Sequence, residues 1–135
     1  MHRRRTAVAC VLLAVAAAGC TNRQPIQAQK PQQKKAVAAS PADANGVQHV
    51  TVTGDQQFRF SPAVINAKVG TLQVTLKTTG STPHDLEIEP FKANTGPVSK
   101  GESRSVTVTL SSAGSYRFVC TFHVALNMVG TIKVT

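Results

Sequence analysis

From Val47 onward the chain alternates apolar and polar residues in pieces the length of strands. "VQHVTVT" sets Val50 and Val52 on one face, with His49 and Thr51 on the other; "QFRF" repeats Phe58 and Phe60; "TLQVTLKT" repeats Leu72, Val74 and Leu76. Further on, "HDLEIE" alternates, "SVTVTL" sets out Val106, Val108 and Leu110, "YRFVC" alternates again, and "GTIKVT" closes with Ile132 and Val134. The breaks fall at "SPA", "VG", "TTGSTP" and "SSAGS", all of them turn chemistry. No stretch has a helical period. Roughly six to eight short strands in about 89 residues predict an all-β domain, a Greek-key antiparallel β-sandwich.

Ahead of Val47 the texture is different. Residues 21–46, "TNRQPIQAQKPQQKKAVAASPADANG", are rich in Gln, Ala, Lys and Pro and nearly free of larger aliphatic side chains. Such a segment buries too little apolar surface to offset the entropy of ordering, so 20–46 is expected to be a disordered tether. As a flexible coil it spans roughly 25 to 30 Å. The first twenty residues, "MHRRRTAVACVLLAVAAAGC", pair Arg3, Arg4 and Arg5 with an apolar run from Ala7 to Ala18 that is short for a membrane span. Residues 1–19 therefore read as a cleaved export signal. Its end, "AAGC", resembles the bacterial lipobox, which makes Cys20 the lipidated N-terminus of the mature chain. A lipid there fixes a protein to the membrane surface without spanning it.

Of the 3 Cys, Cys10 leaves with the signal and Cys20 is taken by lipid, so Cys120 stands alone in the folded part. No disulfide is possible within the domain, and a lone thiol in an exported protein suggests one kept for its chemistry. The formal charge of +9 also shrinks, because three of the 15 basic residues are in the signal; twelve against 6 acids leave +6. Much of that excess is in the tether, at Arg23, Lys30, Lys34 and Lys35. The domain has no basic run interleaved with aromatics, so nucleic acid is not an expected partner, and attraction of the tether to anionic headgroups is the simpler use of the charge.

Strand parity sorts the remaining chemistry. His84 shares a face with Leu86 and Ile88, while Asp85, Glu87 and Glu89 point the other way. His49 falls on the solvent face of its strand and His2 is lost with the signal. Tyr116, Phe118 and Cys120 share a face, so Cys120 ends its strand pointing inward; His123 and Met128 follow in a loop that closes at Gly130. Singly, a buried thiol, a core histidine and a lone Met are more often packing than ligands. Together, two imidazoles and a thiolate with a weaker thioether match a trigonal His₂Cys copper site with a long axial Met, whereas zinc would gain little from Met128.

The stretch "CTFHVALNMVG", with Cys-x2-His-x4-Met spacing and His84 upstream, resembles the type 1 copper loop of the cupredoxins, with a spacing similar to plastocyanin and pseudoazurin. "FRFSPAVINAKVGTLQVTL" and "GSYRFVCTFH" also resemble that family's strands, so the likeness covers 47–135. It implies one copper ion held by His84, Cys120, His123 and Met128, no enzymatic activity, and electron transfer by a monomer. Redox proteins would dock on an apolar patch of Phe122, Val124, Ala125 and Leu126 around His123. With the lipid anchor, the expected location is the outer face of the cytoplasmic membrane. Extracytoplasmic copper capture or delivery is the alternative, and a metal-free adhesion module a third. Relatives commonly carry Pro before the loop His and Gly before the Met, where this chain has Phe122 and Asn127; Asn tolerates the left-handed backbone such a turn asks for. They often carry Asn after the upstream His, where this chain has Asp85, which is expected to accept a hydrogen bond from Thr121 and tie the ligand loops together.

Overall fold

The computed structural model describes residues 36–135. Alternation becomes burial along its three long strands. In β2 (Val47–Gly54), β5 (Gly70–Thr78) and β8 (Ser103–Leu110) the inward positions hold Val50 and Val52, then Leu72, Val74 and Leu76, then Val106, Val108 and Leu110, all buried. With the short β3 (Phe60–Ser61) these strands form a four-stranded sheet in the order β3-β2-β5-β8. β2 runs parallel to β5 with Val52 opposite Leu76, and β8 runs antiparallel with Val106 opposite Val74. The one polar residue on the inward face of β2, Gln48, is satisfied at both ends: its Nε2 donates to the Lys68 carbonyl and its Oε1 accepts from the Lys68 N–H.

The second sheet has six strands: β1 (Ala36–Ala38), β4 (Val64–Ala67), β10 (Val129–Val134), β9 (Gly114–Val119), β6 (Glu87–Ile88) and β7 (Ala93–Asn94), in that spatial order. Ile65, Ile88, Phe118 and Ile132 from this sheet join Val52, Leu72, Val74 and Leu76 from the other in one core cluster. Each such side chain taken fully from water stabilises the fold by roughly 1.5–3 kcal/mol. Phe60 and Phe118 meet between the sheets, ring centroids 5.2 Å apart. Gly130 lies opposite Phe118 in the β9–β10 ladder, and a Cβ there would run into the Phe118 ring.

The all-β sandwich is as expected, but its pairing is mixed rather than antiparallel throughout: β1 with β4, β4 with β10, and β2 with β5 are parallel. The folded part also begins before Val47. Residues 36–38 pair with β4, the Ala39 N–H donates to Asn66, and Ser40 and His49 exchange hydrogen bonds. Asp43 Oδ1 accepts from the N–H groups of Asn45 and Val47, while its Oδ2 lies 2.9 Å from His49 Nε2. Backbone pairing thus holds a segment whose composition alone buries little. The expected signal at 1–19, Cys20 and the tether up to residue 35 lie outside the described residues. Among the described residues no helix is long and apolar enough to cross a membrane.

Candidate metal centre

Three loops and strand ends converge at one end of the sandwich. The "HDLEIE" segment is not a full strand. His84 makes an isolated antiparallel bridge with Val98, its N–H donating to the Val98 carbonyl, and regular pairing begins only at Glu87. That bridge is enough to fix His84 inward, where it is fully buried together with Leu86 and Ile88. Cys120 follows the last residue of β9 and is also fully buried. Its N–H donates to the Met128 carbonyl, clamping both ends of the loop. Inside, the His123 N–H donates to the Cys120 carbonyl and the Leu126 N–H to the His123 carbonyl, so 124–126 form a single 3₁₀ turn. Asn127 ends that turn in the left-handed conformation, φ 60°, which accounts for the residue type at this position.

Every candidate ligand inferred from the sequence is brought here. His84 Nδ1 lies 3.2 Å from His123 Nδ1, Cys120 Sγ lies 3.3 Å from His123 Nδ1 and 3.8 Å from His84 Nδ1. The three atoms lie within 4.8 Å of one another, and they are the one such group of His, Cys, Asp or Glu among the described residues. Met128 is fully buried. A Cβ built on Gly54 would meet both His84 Cδ2, at 2.8 Å, and Met128 Cε, at 3.3 Å, so the thioether and the His84 ring rest against the same bare stretch of backbone.

This donor set fits a soft cation. Two ring nitrogens facing each other at hydrogen-bond distance, with a sulfur beside both, can share at most a proton or two; a metal ion among them satisfies all three lone pairs at once. Among the described residues His84 Nε2 is buried with no hydrogen-bond partner, so the ring's polar interactions are incomplete. Burial, then the nearby His123, lowers the His84 pKa, which favours the neutral imidazole a metal requires. Burial pushes the Cys120 thiol up, so its proton must leave when a cation binds.

Asp85 supports the cluster from behind. Parity had turned its side chain away from His84, and it does point away, yet it is buried rather than solvated. Its Oδ1 accepts from the Thr121 N–H at 2.7 Å, and its Oδ2 accepts from the Thr121 hydroxyl at 2.5 Å and from Asn94 Nδ2 at 2.9 Å. The expected Asp85–Thr121 tie is therefore present, doubled, and extended to a third segment through Asn94. Burial pushes the Asp85 carboxyl up, but the hydrogen bonds from Thr121 and Asn94 outweigh it and hold the pKa below the usual value.

Around His123 the surface is apolar. Phe122, Val124 and Leu126 are 54%, 43% and 56% exposed. The Phe122 ring meets His123 edge-on, centroids 6.3 Å apart. On its other contact the imidazole lies against Phe58, centroids 4.7 Å apart and planes at 40°. The sequence assigned Phe58 to a strand face with Phe60, and its place beside His123 was missed. Its backbone is left-handed, φ 57°, so the residue sits in a turn before β3. The Asp-x-x-Phe-Arg spacing of that turn is the one signal that could have pointed to it.

The model of the cupredoxin-like domain matches residues 9–134. A search of curated protein sequences finds no significant match. Among solved structures, the chain is similar to the metal-binding domain, with Cu(I), of the Cu(I)-exporting P-type ATPase CopA of Streptococcus pneumoniae, at 20% identity and TM-score 0.61, covering 76% of this chain and 97% of that one. It is similar to dithionite-reduced auracyanin of the photosynthetic bacterium Roseiflexus castenholzii, at 20% identity and TM-score 0.58, covering 72% and 98%. A mutant plastocyanin of fern is 30% identical with TM-score 0.51, covering 64% of this chain and 100% of that one. With its whole β-sandwich inside the matched residues, the chain belongs to the cupredoxin-like domain family, a fold that implies copper binding.

Proposed function

We propose that the protein is a type 1 blue copper protein that carries single electrons between redox partners, exported and tethered to a membrane. His84, Cys120, His123 and Met128 would hold one copper ion. When bound, copper supplies a one-electron couple between Cu(I) and Cu(II). The observation that carries the reading is the convergence of His84 Nδ1, His123 Nδ1 and Cys120 Sγ beside a buried thioether, under a rim of exposed apolar side chains. The hydrogen-bonded loop from Cys120 to Met128 and the Asp85 brace keep the ligand atoms together, so little has to move when an electron arrives or leaves. Phe122, Val124, Ala125 and Leu126 exclude water around the His123 edge and offer redox proteins a dry docking surface.

The lipobox-like "AAGC" supports cleavage after Gly19 and lipidation of Cys20, which would hold a monomeric domain at the outer face of the cytoplasmic membrane. Cupredoxins carry electrons rather than catalyse, and we assign this chain no enzymatic step.

The test is a visible spectrum of the copper-loaded, oxidised protein, where an intense thiolate-to-Cu(II) band is expected and is lost in Cys120→Ser. A copper-loaded protein without that band would refute the assignment. Copper capture or delivery is the second reading, favoured by the likeness to the exporter's metal-binding domain. A delivery protein hands its ion to a competing chelator within the mixing time, whereas a carrier keeps it and exchanges electrons quickly.

A further inference from the structure

We infer that Phe58 is a positioning residue for His123, and that the turn between β2 and β3 is built to hold it there. The inference rests on the copper-site reading above for its purpose, but its geometry stands on its own. A left-handed backbone is unusual for a bulky aromatic residue, and such conformations persist only where the surroundings fix them. Here they do. Asp55 Oδ1 accepts from the N–H groups of Gln57 and Arg59 at 2.9 and 3.0 Å, and its Oδ2 accepts from Arg59 Nε at 2.9 Å. The Asp55 N–H donates to the Arg59 carbonyl, and the Phe58 N–H donates to the Asp55 carbonyl. These contacts close the turn around Phe58 without using its ring.

What the ring does is visible from its neighbours. It lies against the His123 imidazole at 4.7 Å and meets the His84 ring edge-on at 6.5 Å. The residue next to His123 in its loop, Phe122, is more than half exposed and meets the imidazole edge-on. A tilted aromatic contact against the imidazole adds, from a distant turn, a restraint on the ring that the loop's backbone hydrogen bonds do not give. The same turn starts at Gly54, against which His84 and Met128 both rest. One short segment therefore borders three of the four candidate ligands.

The test compares Phe58→Leu, which keeps apolar bulk but removes the planar face, with Phe58→Trp, which restores a face, and with Asp55→Ala, which keeps the ring but opens the turn. In the metal-free protein, the His123 ring protons should show the upfield displacement of a neighbouring aromatic ring by NMR. That displacement should be lost in Phe58→Leu and Asp55→Ala and recovered in Phe58→Trp. In the copper-loaded protein, Phe58→Leu and Asp55→Ala should weaken copper binding by roughly two- to tenfold, the value of one aromatic pair, and lower the reduction potential as water reaches His123, with Phe58→Trp close to wild type. Wild type with no thiolate-to-copper band sinks the site reading itself. A wild-type band with Phe58→Leu unchanged in NMR, affinity and potential overturns the role of Phe58 alone.

Discussion

Replacing Asp85 by Ala removes the one acceptor shared by Thr121 and Asn94 and so separates the loop that follows Cys120 from the segment that carries His84. Three hydrogen bonds are lost, two from Thr121 and one from Asn94. Each bond to a charged group contributes about 1.5–3 kcal/mol net. Thr121 and Asn94 are exposed, so water replaces much of what they lose, and a total near the value of one bond, about 2 kcal/mol, is the expected destabilisation. For a domain of this size that lowers Tm by roughly 10 °C. Denaturant unfolding of the metal-free protein measures it without involving copper. The pH dependence gives a second reading. Because the folded pKa of Asp85 is held below its ordinary value, the carboxylate's contribution is fully present above the unfolded pKa of about 3.9 and is lost as pH falls through the lower folded value. The gap between wild type and Asp85→Ala should therefore stay constant from neutral pH to about pH 5 and close below about pH 4. Variants equal within about 0.5 kcal/mol at pH 7, or a gap that widens on acidification, would refute the brace.

Gly54→Ala should displace His84 and Met128 together, because its methyl would sit 2.8 Å from His84 Cδ2; a loss of about 1–3 kcal/mol and an altered copper spectrum are expected, and an unchanged spectrum would contradict the packing. Asn127→Val places a β-branched residue in a left-handed cap and should cost about 1–3 kcal/mol in thermal unfolding, while Asn127→Gly should be close to neutral. At the other end of the domain, hydrogen bonding to Asp43 raises the His49 pKa, and hydrogen bonding to His49 lowers that of Asp43. The His49 part is fully present below about pH 6.5 and lost as pH rises through its raised value; the Asp43 part is present above about pH 3.9 and lost below it. His49→Gln should accordingly narrow its deficit against wild type as pH climbs past 7, which a pH series of melting curves would follow.

The candidate ligand set was legible because it is written locally. Three of its members lie within Cys120–Met128, and strand parity brought in His84, whose inward face needed only a single bridge to Val98 to be realised. Asp85 was legible as a partner of Thr121 but not as a buried group, since alternation assigns a face and not the loop that covers it. Phe58 was read with Phe60 as a strand pair; a side-chain cap by Asp55 overrode that alternation and turned the residue out of the ladder. β1 was missed for a related reason. Ala36–Ala38 has little to bury, and what holds it is backbone pairing to β4, which composition does not register.

That short strand has a mechanical consequence. The described part of the chain begins at Ala36, so a pull applied from the N-terminal side would arrive first at a ladder three residues long, against β4 alone. The strands bearing the candidate ligand loop, β9 and β10, are joined by six paired positions and have β4 between them and β1. Under load, β1 is the element that peels away first, and it can do so like a fuse, leaving the ladder beneath Cys120 and Met128 intact.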